Sequence, residues 1–180
     1  MAATIAATAA ARYRVLGVDP GSRITGYGVV DVRGGRLTHV DSGVISIDFR
    51  SPIEARLLNV FDQLSALIAR HSPDLVSIED LFHARNVRSA ITLGQARGAA
   101  LLAASRAGLP VRSYAPAEIK LTVAGSGRAE KGQIQQMVRA ILALDGAPGP
   151  DAADALAAAI CHAQRRQLET RIDGAVRRAR

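Results

Sequence analysis

Residues 13–19, YRVLGVD, form an apolar run that stops at an acid, the pattern of a strand buried on both faces. Residues 25–32 (TGYGVVDV) and 36–47 (RLTHVDSGVISI) instead alternate apolar with polar, and Gly34–Gly35 between them is turn chemistry. Three strands in an antiparallel meander are predicted. From 51 to 71 the period lengthens, with Ile53, Leu57, Val60, Phe61, Leu64, Leu67 and Ile68 at helical spacing. Ser51 fits the N-cap, Pro52 fits N1 and Glu54 fits N3 of a capping box. Arg56 on this helix reads as a position where lysine would serve equally well. PDLVSIED (73–80) is a further short buried strand ending in acid, followed by a small-residue helix over 87–107 and a strand at 110–115. Helices are predicted at 116–123, 130–143 and 151–168.

The element order is therefore β-β-β-α-β-α-β-α-α-α. Strands paired first antiparallel and then through helical crossovers give an α/β fold, a mixed five-stranded sheet flanked by helices, in ribonuclease-H-like outline. No linker or repeat interrupts it, so one domain is expected over 13–164. Residues 1–12, MAATIAATAAAR, lack a basic start and a leucine-rich stretch and read as a flexible extension, not a secretory signal. Residues 165–180 read as a basic tail. No run approaches the ~18–20 apolar residues of a membrane span. A single cysteine, Cys161, excludes an internal disulfide and a cysteine metal cluster, and reads as a small buried hydrophobe. His39, His71, His83 and His162 show no metal-ligand spacing. A soluble cytoplasmic protein is expected.

Charge sharpens this picture. The chain carries +7 overall, yet residues 1–80 hold eight Arg against nine acids, for a net −1. Residues 81–144 hold nine Arg or Lys against two Glu (+7), residues 145–164 sum to −3, and 165–180 to +4. Basic charge concentrated in one half suits a polyanion partner, nucleic acid above all, although an arginine-rich composition with solvated faces accounts for it equally well.

The acids give the chemistry. Asp19 closes the first strand, Glu79 closes the fourth, and Asp151 and Asp154 open the last long helix, three residues apart and so on one face. Should strands 1 and 4 be central neighbours, all four carboxylates meet. Such a group repels itself unless a cation intervenes, and an oxygen-only ligand set selects Mg²⁺ or Mn²⁺. Two such ions ~4 Å apart hydrolyse phosphodiesters in line. Taken alone, an Asp-x-x-Asp at a helix start is more often a cap than a catalytic pair, and an Asp ending a strand is common in turns. Three elements ending in acid where one fold unites them outweigh that reading.

Four stretches together, LGVDPGSRITGYGVV (16–30), SIEDLFHARNVRSAITLGQARGAALLAA (77–104), YAPAEIKLTVAGSGRAEKGQIQQMVRAIL (114–142) and PDAADALAAAI (150–160), resemble the bacterial RuvC-type Holliday junction resolvases. The resemblance is in order and covers about 14–164. It implies a homodimeric, Mg²⁺-dependent endonuclease, with two ions per subunit, that nicks two opposing strands of a four-way DNA junction symmetrically. It implies ligatable 5′-phosphate ends and work beside a RuvAB-type branch-migration motor. It puts the metal-binding acids on Asp19, Glu79, Asp151 and Asp154. It places Phe82 at the junction, where an aromatic can stack on an unpaired base; without it, Phe82 reads as core.

Other residues complete the candidate site. Ser22 and Arg23 stand where they could touch a phosphate, though a solvated turn explains them as well, and Arg85 and Arg88 read as phosphate contacts at the start of the basic half. Gly21 and Gly26 suit a tight turn beside Asp19, and Gly28 leaves room for a close backbone. Ala90, Gly94 and Gly98 form a flat helix face for an internal helix or a second subunit. Of 23 basic residues only Lys120 and Lys131 are lysine, both in the 114–142 stretch where the family also has lysine. An ammonium there can offset negative charge developing on a scissile phosphate, or give up a proton when desolvated.

Overall fold

The computed structural model describes residues 12–80 and 87–178; the side chains of residues 88, 177 and 178 lie outside that description, as do residues 1–11 of the extension expected over 1–12. The elements are β1 (Arg12–Asp19), β2 (Ile24–Arg33), β3 (Arg36–Ser46), α1 (Ile53–His71), β4 (Leu75–Glu79), α2 (Val87–Arg106), β5 (Val111–Tyr114), α3 (Pro116–Ala124), α4 (Lys131–Leu142) and α5 (Pro150–Arg178). The sheet order is β3-β2-β1-β4-β5. The first three strands pair antiparallel, and β4 and β5 join parallel to β1 and to each other. The α/β sheet of five mixed strands is thus as the periodicity predicts, with β1 and β4 side by side.

Period-two alternation divides the strands between two cores. Leu16, Val18, Val29, Val76 and Ile78 face α1 and α2, packed with Val60, Leu64, Ile68 and the α2 alanines. Val15, Val30, Val32 and Leu75 face the opposite side, under α3, α4 and α5. Each fully buried Leu, Ile or Val contributes ~1.5–3 kcal/mol against leaving it in water. Asp19 and Glu79 follow the same alternation. One step past Val18 and Ile78, they fall on the side of the sheet that α5 covers.

That side is surfaced with glycine. A Cβ on Gly17 would stand 2.0 Å from the Ala155 carbonyl oxygen, one on Gly26 2.0 Å from that of Asp151, and one on Gly28 2.6 Å from Leu156 Cδ2. The helix answers with Ala152, Ala153, Ala155, Ala157, Ala158 and Ala159, all buried. Backbone therefore lies almost on backbone, and the buried Ser77 hydroxyl donates to the Ala158 carbonyl at 2.7 Å. Gly26 is accordingly a close-approach residue inside β2, not the turn glycine expected; Gly21, whose Cβ would meet the Ile24 carbonyl at 2.0 Å, serves the tight turn.

Two boundaries differ from expectation. Pro52, not Ser51, caps α1, and no side chain bonds there. The Ser51 hydroxyl is instead engaged by Asp48 at 3.1 Å, closing a turn with the Ser51 N–H on the Asp48 carbonyl. Helix α5 does not stop near 168 but runs to Arg178, so the described part of the basic tail is helical. Its apolar residues there, Leu168, Ile172 and Val176, are exposed, which deprives the segment of any burial signature.

Replacing Gly26 by alanine drives a methyl into the backbone of Asp151, an overlap no rotamer relieves. We predict a loss of ~1–3 kcal/mol or more in chemical denaturation. Gly132→Ala, where no atom lies within 4 Å inside α4, is expected to be neutral or to stabilise by up to ~1 kcal/mol.

Candidate nuclease site

Asp19 and Glu79 are the last residues of adjacent parallel strands and are the next rung of the ladder that pairs Val18 with Ile78. Asp151 is the second residue of α5 and Asp154 lies three further on. Since Pro150 opens the helix and the Gly149 carbonyl accepts the Ala153 N–H at 2.8 Å, Asp151 is not the cap; its carboxylate belongs to the first turn. The contact of Gly26 with the Asp151 backbone brings this turn over the end of β1 and β2.

All four acids are partly buried, and Asp19, Glu79 and Asp154 are each raised by burial and by neighbouring carboxylates. Burial, and then repulsion from Asp154 and Asp151, pushes the Asp19 carboxyl from an ordinary 3.8 up to about 7. Glu79 also rises to about 7, through burial and then repulsion from Asp19 and Asp154. Asp154 is raised as well. It has Lys131 Nζ 3.4 Å from Oδ2, but this lysine is 70% exposed and its opposing effect is smaller than that of burial. Lys131, first residue of α4, is pulled up chiefly by Asp154, so it stays an ammonium. Lys120, on α3, opposes the rise at both Glu79 and Asp154.

Among the described residues, no three acids, histidines or cysteines stand close enough together to grip an ion as they are. The donor set nonetheless fits one. It is oxygen-only, and burial together with an excess of negative charge that two lysines only partly offset raises two of its carboxyls to about 7. Asp19, Glu79, Asp151 and Asp154 are the residues that would hold a hard divalent cation.

Of the remaining candidates, Arg23 is exposed in the β1–β2 turn and lies over the ring of Phe49, 5.2 Å from its centroid, not against the acids. Phe82 and Arg85 lie outside the described residues, and Arg88 falls in α2 with its side chain outside them. Cys161 is buried, its sulfur 3.6 Å from the Thr122 hydroxyl. Sequence reasoning missed two contributors. Arg56 Nη2 donates to the Ser22 carbonyl at 2.9 Å and so fastens the turn that follows Asp19; it is no interchangeable surface charge. Phe49 left no periodic signal, because it stands 58% exposed in a turn.

The raised acids make a prediction about stability. Between the ordinary carboxylate range and pH 7 the folded state keeps protons on Asp19 and Glu79 that the unfolded chain has released, so stability falls as pH rises through this window. Without divalent metal, Asp19→Asn is expected to be more stable than wild type, by a margin that widens from pH 4 to 8. The margin should reach on the order of 1–2 kcal/mol, after discounting for solvent screening. Millimolar Mg²⁺ should narrow it by stabilising wild type selectively. Denaturation curves at several pH values, with and without Mg²⁺, check both parts; a margin flat with pH contradicts them.

The chain has extensive relatives. A family model described as crossover junction endodeoxyribonuclease RuvC matches residues 15–162. A protein of that name from Trichlorobacter lovleyi is 49% identical over 167 residues, covering 93% of this chain and 94% of the relative. One from Halorhodospira halophila is 54% identical over 154 residues, covering 85% and 91%. The structure of T. thermophilus RuvC in complex with Holliday junction substrate superposes with a TM-score of 0.83 at 36% identity, covering 88% of this chain and 97% of that one. The yeast mitochondrial Holliday junction resolvase Ydc2, at 15% identity and a TM-score of 0.65, shares the fold. A match over most of the chain, at about half identity and with the same architecture, makes this protein a member of the RuvC family of crossover junction endodeoxyribonucleases.

Proposed function

We propose that the protein resolves four-way DNA junctions, nicking two opposing strands symmetrically by divalent-metal-dependent hydrolysis that leaves 5′-phosphates, in recombination and repair. The observation that carries this reading is the gathering of Asp19, Glu79, Asp151 and Asp154 from three elements, with two of them held near neutrality by burial and mutual repulsion. Two Mg²⁺ ions, or Mn²⁺ in their place, bound there would supply charge stabilisation at the phosphodiester and activation of the attacking water. The strand-borne pair, Asp19 and Glu79, sits at the ends of two adjacent inner strands, while Asp151 and Asp154 approach from the helix. Lys120 and Lys131 bring fixed positive charge to the same place, where negative charge develops on the scissile phosphate. The raised pKa of Lys131 favours this electrostatic role over proton donation.

A four-way junction has two equivalent strands to cut, so a two-fold dimer with one site per subunit matches it. The exposed α2 face supports such pairing. Val87, Ile91 and Leu102 are exposed apolar residues there, and a Cβ on Gly98 would meet nothing within 4 Å, so no described internal helix packs on it. Arg23, Arg85 and Arg88 would meet phosphates and Phe82 an unpaired base. Cooperation with a RuvAB-type motor rests on the family resemblance. A cytoplasmic location agrees with the lone buried cysteine, and no described helix is long and apolar enough to cross a membrane.

The direct test is incubation with a synthetic four-way junction and Mg²⁺ or Mn²⁺, beside linear duplex and RNA–DNA hybrid. Asp19→Asn, Glu79→Gln, Asp151→Asn and Asp154→Asn are each expected to cut cleavage at least 100-fold, on the order of 2.7 kcal/mol, while junction binding survives. Ca²⁺ should support binding with little cutting. If Asp151→Asn merely melts the protein and leaves its specific activity intact, the aspartate is structural. Lys120→Arg and Lys131→Arg should each slow cleavage at saturating junction about tenfold, ~1.4 kcal/mol, with affinity nearly unchanged. Arg36→Lys, at the β2–β3 turn away from the acids, is the control. Wild-type rates in both lysine variants would reduce these residues to ordinary phosphate contacts.

A further inference from the structure

Arg23 lies four residues past Asp19, between β1 and β2, and its backbone is held from two sides. Its carbonyl accepts the Ile47 N–H at 2.9 Å, and the carbonyl before it, that of Ser22, accepts from Arg56. Its guanidinium lies over Phe49 at 5.2 Å, within the ~6 Å range of a cation–π contact. Phe49 is itself on a pinned turn. Asp48 accepts the Arg50 N–H at 3.0 Å and the Ser51 hydroxyl at 3.1 Å, and the Asp48 carbonyl takes the Ser51 N–H. Among the described residues no carboxylate forms an ion pair with Arg23. The result is a cation with no partner acid among the described residues, resting on an exposed aromatic ring at the same end of the sheet as the four acids.

We propose that Phe49 is a positioning residue for substrate binding, its ring holding the Arg23 guanidinium as a pre-set contact for a DNA phosphate beside the end of β1. A guanidinium can do both things at once, because it stacks through its face and donates through its edge; an ammonium cannot. Stacking removes rotamer freedom that Arg23 would otherwise lose on meeting the phosphate. The inference rests on the junction-binding reading above and adds to it a residue outside the acid and lysine set.

The test measures junction affinity against salt concentration, using the full-length chain in the Asp19→Asn background so that no strand is cut. Phe49→Leu, which keeps an apolar side chain but loses the ring, is expected to weaken binding about two- to fivefold. It should also make the dependence of log K on log salt shallower by up to ~1, the signature of a lost phosphate contact. Phe49→Tyr should restore both. In an Arg23→Met background Phe49→Leu should change nothing further, because the ring acts only through the arginine. Losses that instead add would mean the ring meets DNA directly and would overturn the proposal, as would unchanged affinity in Phe49→Leu. Because Phe49 is 58% exposed, thermal stability should stay level across the set. A parent protein that does not prefer junction to linear duplex sinks the proposed function and this inference together. A parent that binds, with silent Phe49 variants, sinks the inference alone.

Discussion

Backbone contact between α5 and the first two strands is the constraint from which the remaining architecture follows. With glycine at 17, 26 and 28, the Ala155 and Asp151 carbonyls occupy space that side chains would otherwise fill. An ordinary helix-on-sheet packing keeps the elements about 10 Å apart, on side chains of mixed size. Here small residues on both surfaces let the helix settle lower, and its first turn is carried to the ends of β1 and β4. The apolar character of the helix and the charge at its start are thus two parts of one solution. The alanines allow the depth, and the depth brings Asp151 and Asp154 within electrostatic reach of Asp19.

This solution works against the stability of the isolated chain. Carboxylates raised first by burial and then by one another's charge cost stability when ionised, and two lysines, one largely exposed, offset only part of it. Sites of this kind are where folded proteins depart from their stability optimum in return for function. The sheet tolerates it because the strain sits at its rim. The inner rungs of β1 and β4, Val15 to Val18 against Leu75 to Ile78, are buried apolar pairs apart from Gly17 and Ser77, and both of those serve the helix.

Much of this was legible in the residues. Period two in the strands and period 3.6 in α1 and α4 gave element type and order, since each element buries one regular face. Acids at the ends of two apolar runs and at one helix start could be seen as a set once the strand order was granted. Most of what escaped had little one-dimensional trace. The length of α5 beyond 168 is an exception, since Leu168, Ile172 and Val176 recur at helical spacing; the run of arginines around them makes it read as a tail. Ser51 looks like a cap, but Asp48, three residues earlier, competes for its hydroxyl. Gly26 looks like a turn residue until the helix above it is known. The pairing of Arg23 with Phe49, and the bond from Arg56 to Ser22, join residues whose neighbourhood only the assembled sheet creates.

The placement of Asp151 and Asp154 on the final helix also bears on the order of events during synthesis. Asp19 belongs to the first strand and its helical partners to the last element, so most of the chain separates them. Contacts of such sequence separation form late, after the intervening loop has been closed. A nascent or truncated chain that has already made the whole sheet still lacks half of its acids. If the four acids form the cutting centre, as proposed, that centre is completed only when α5 docks.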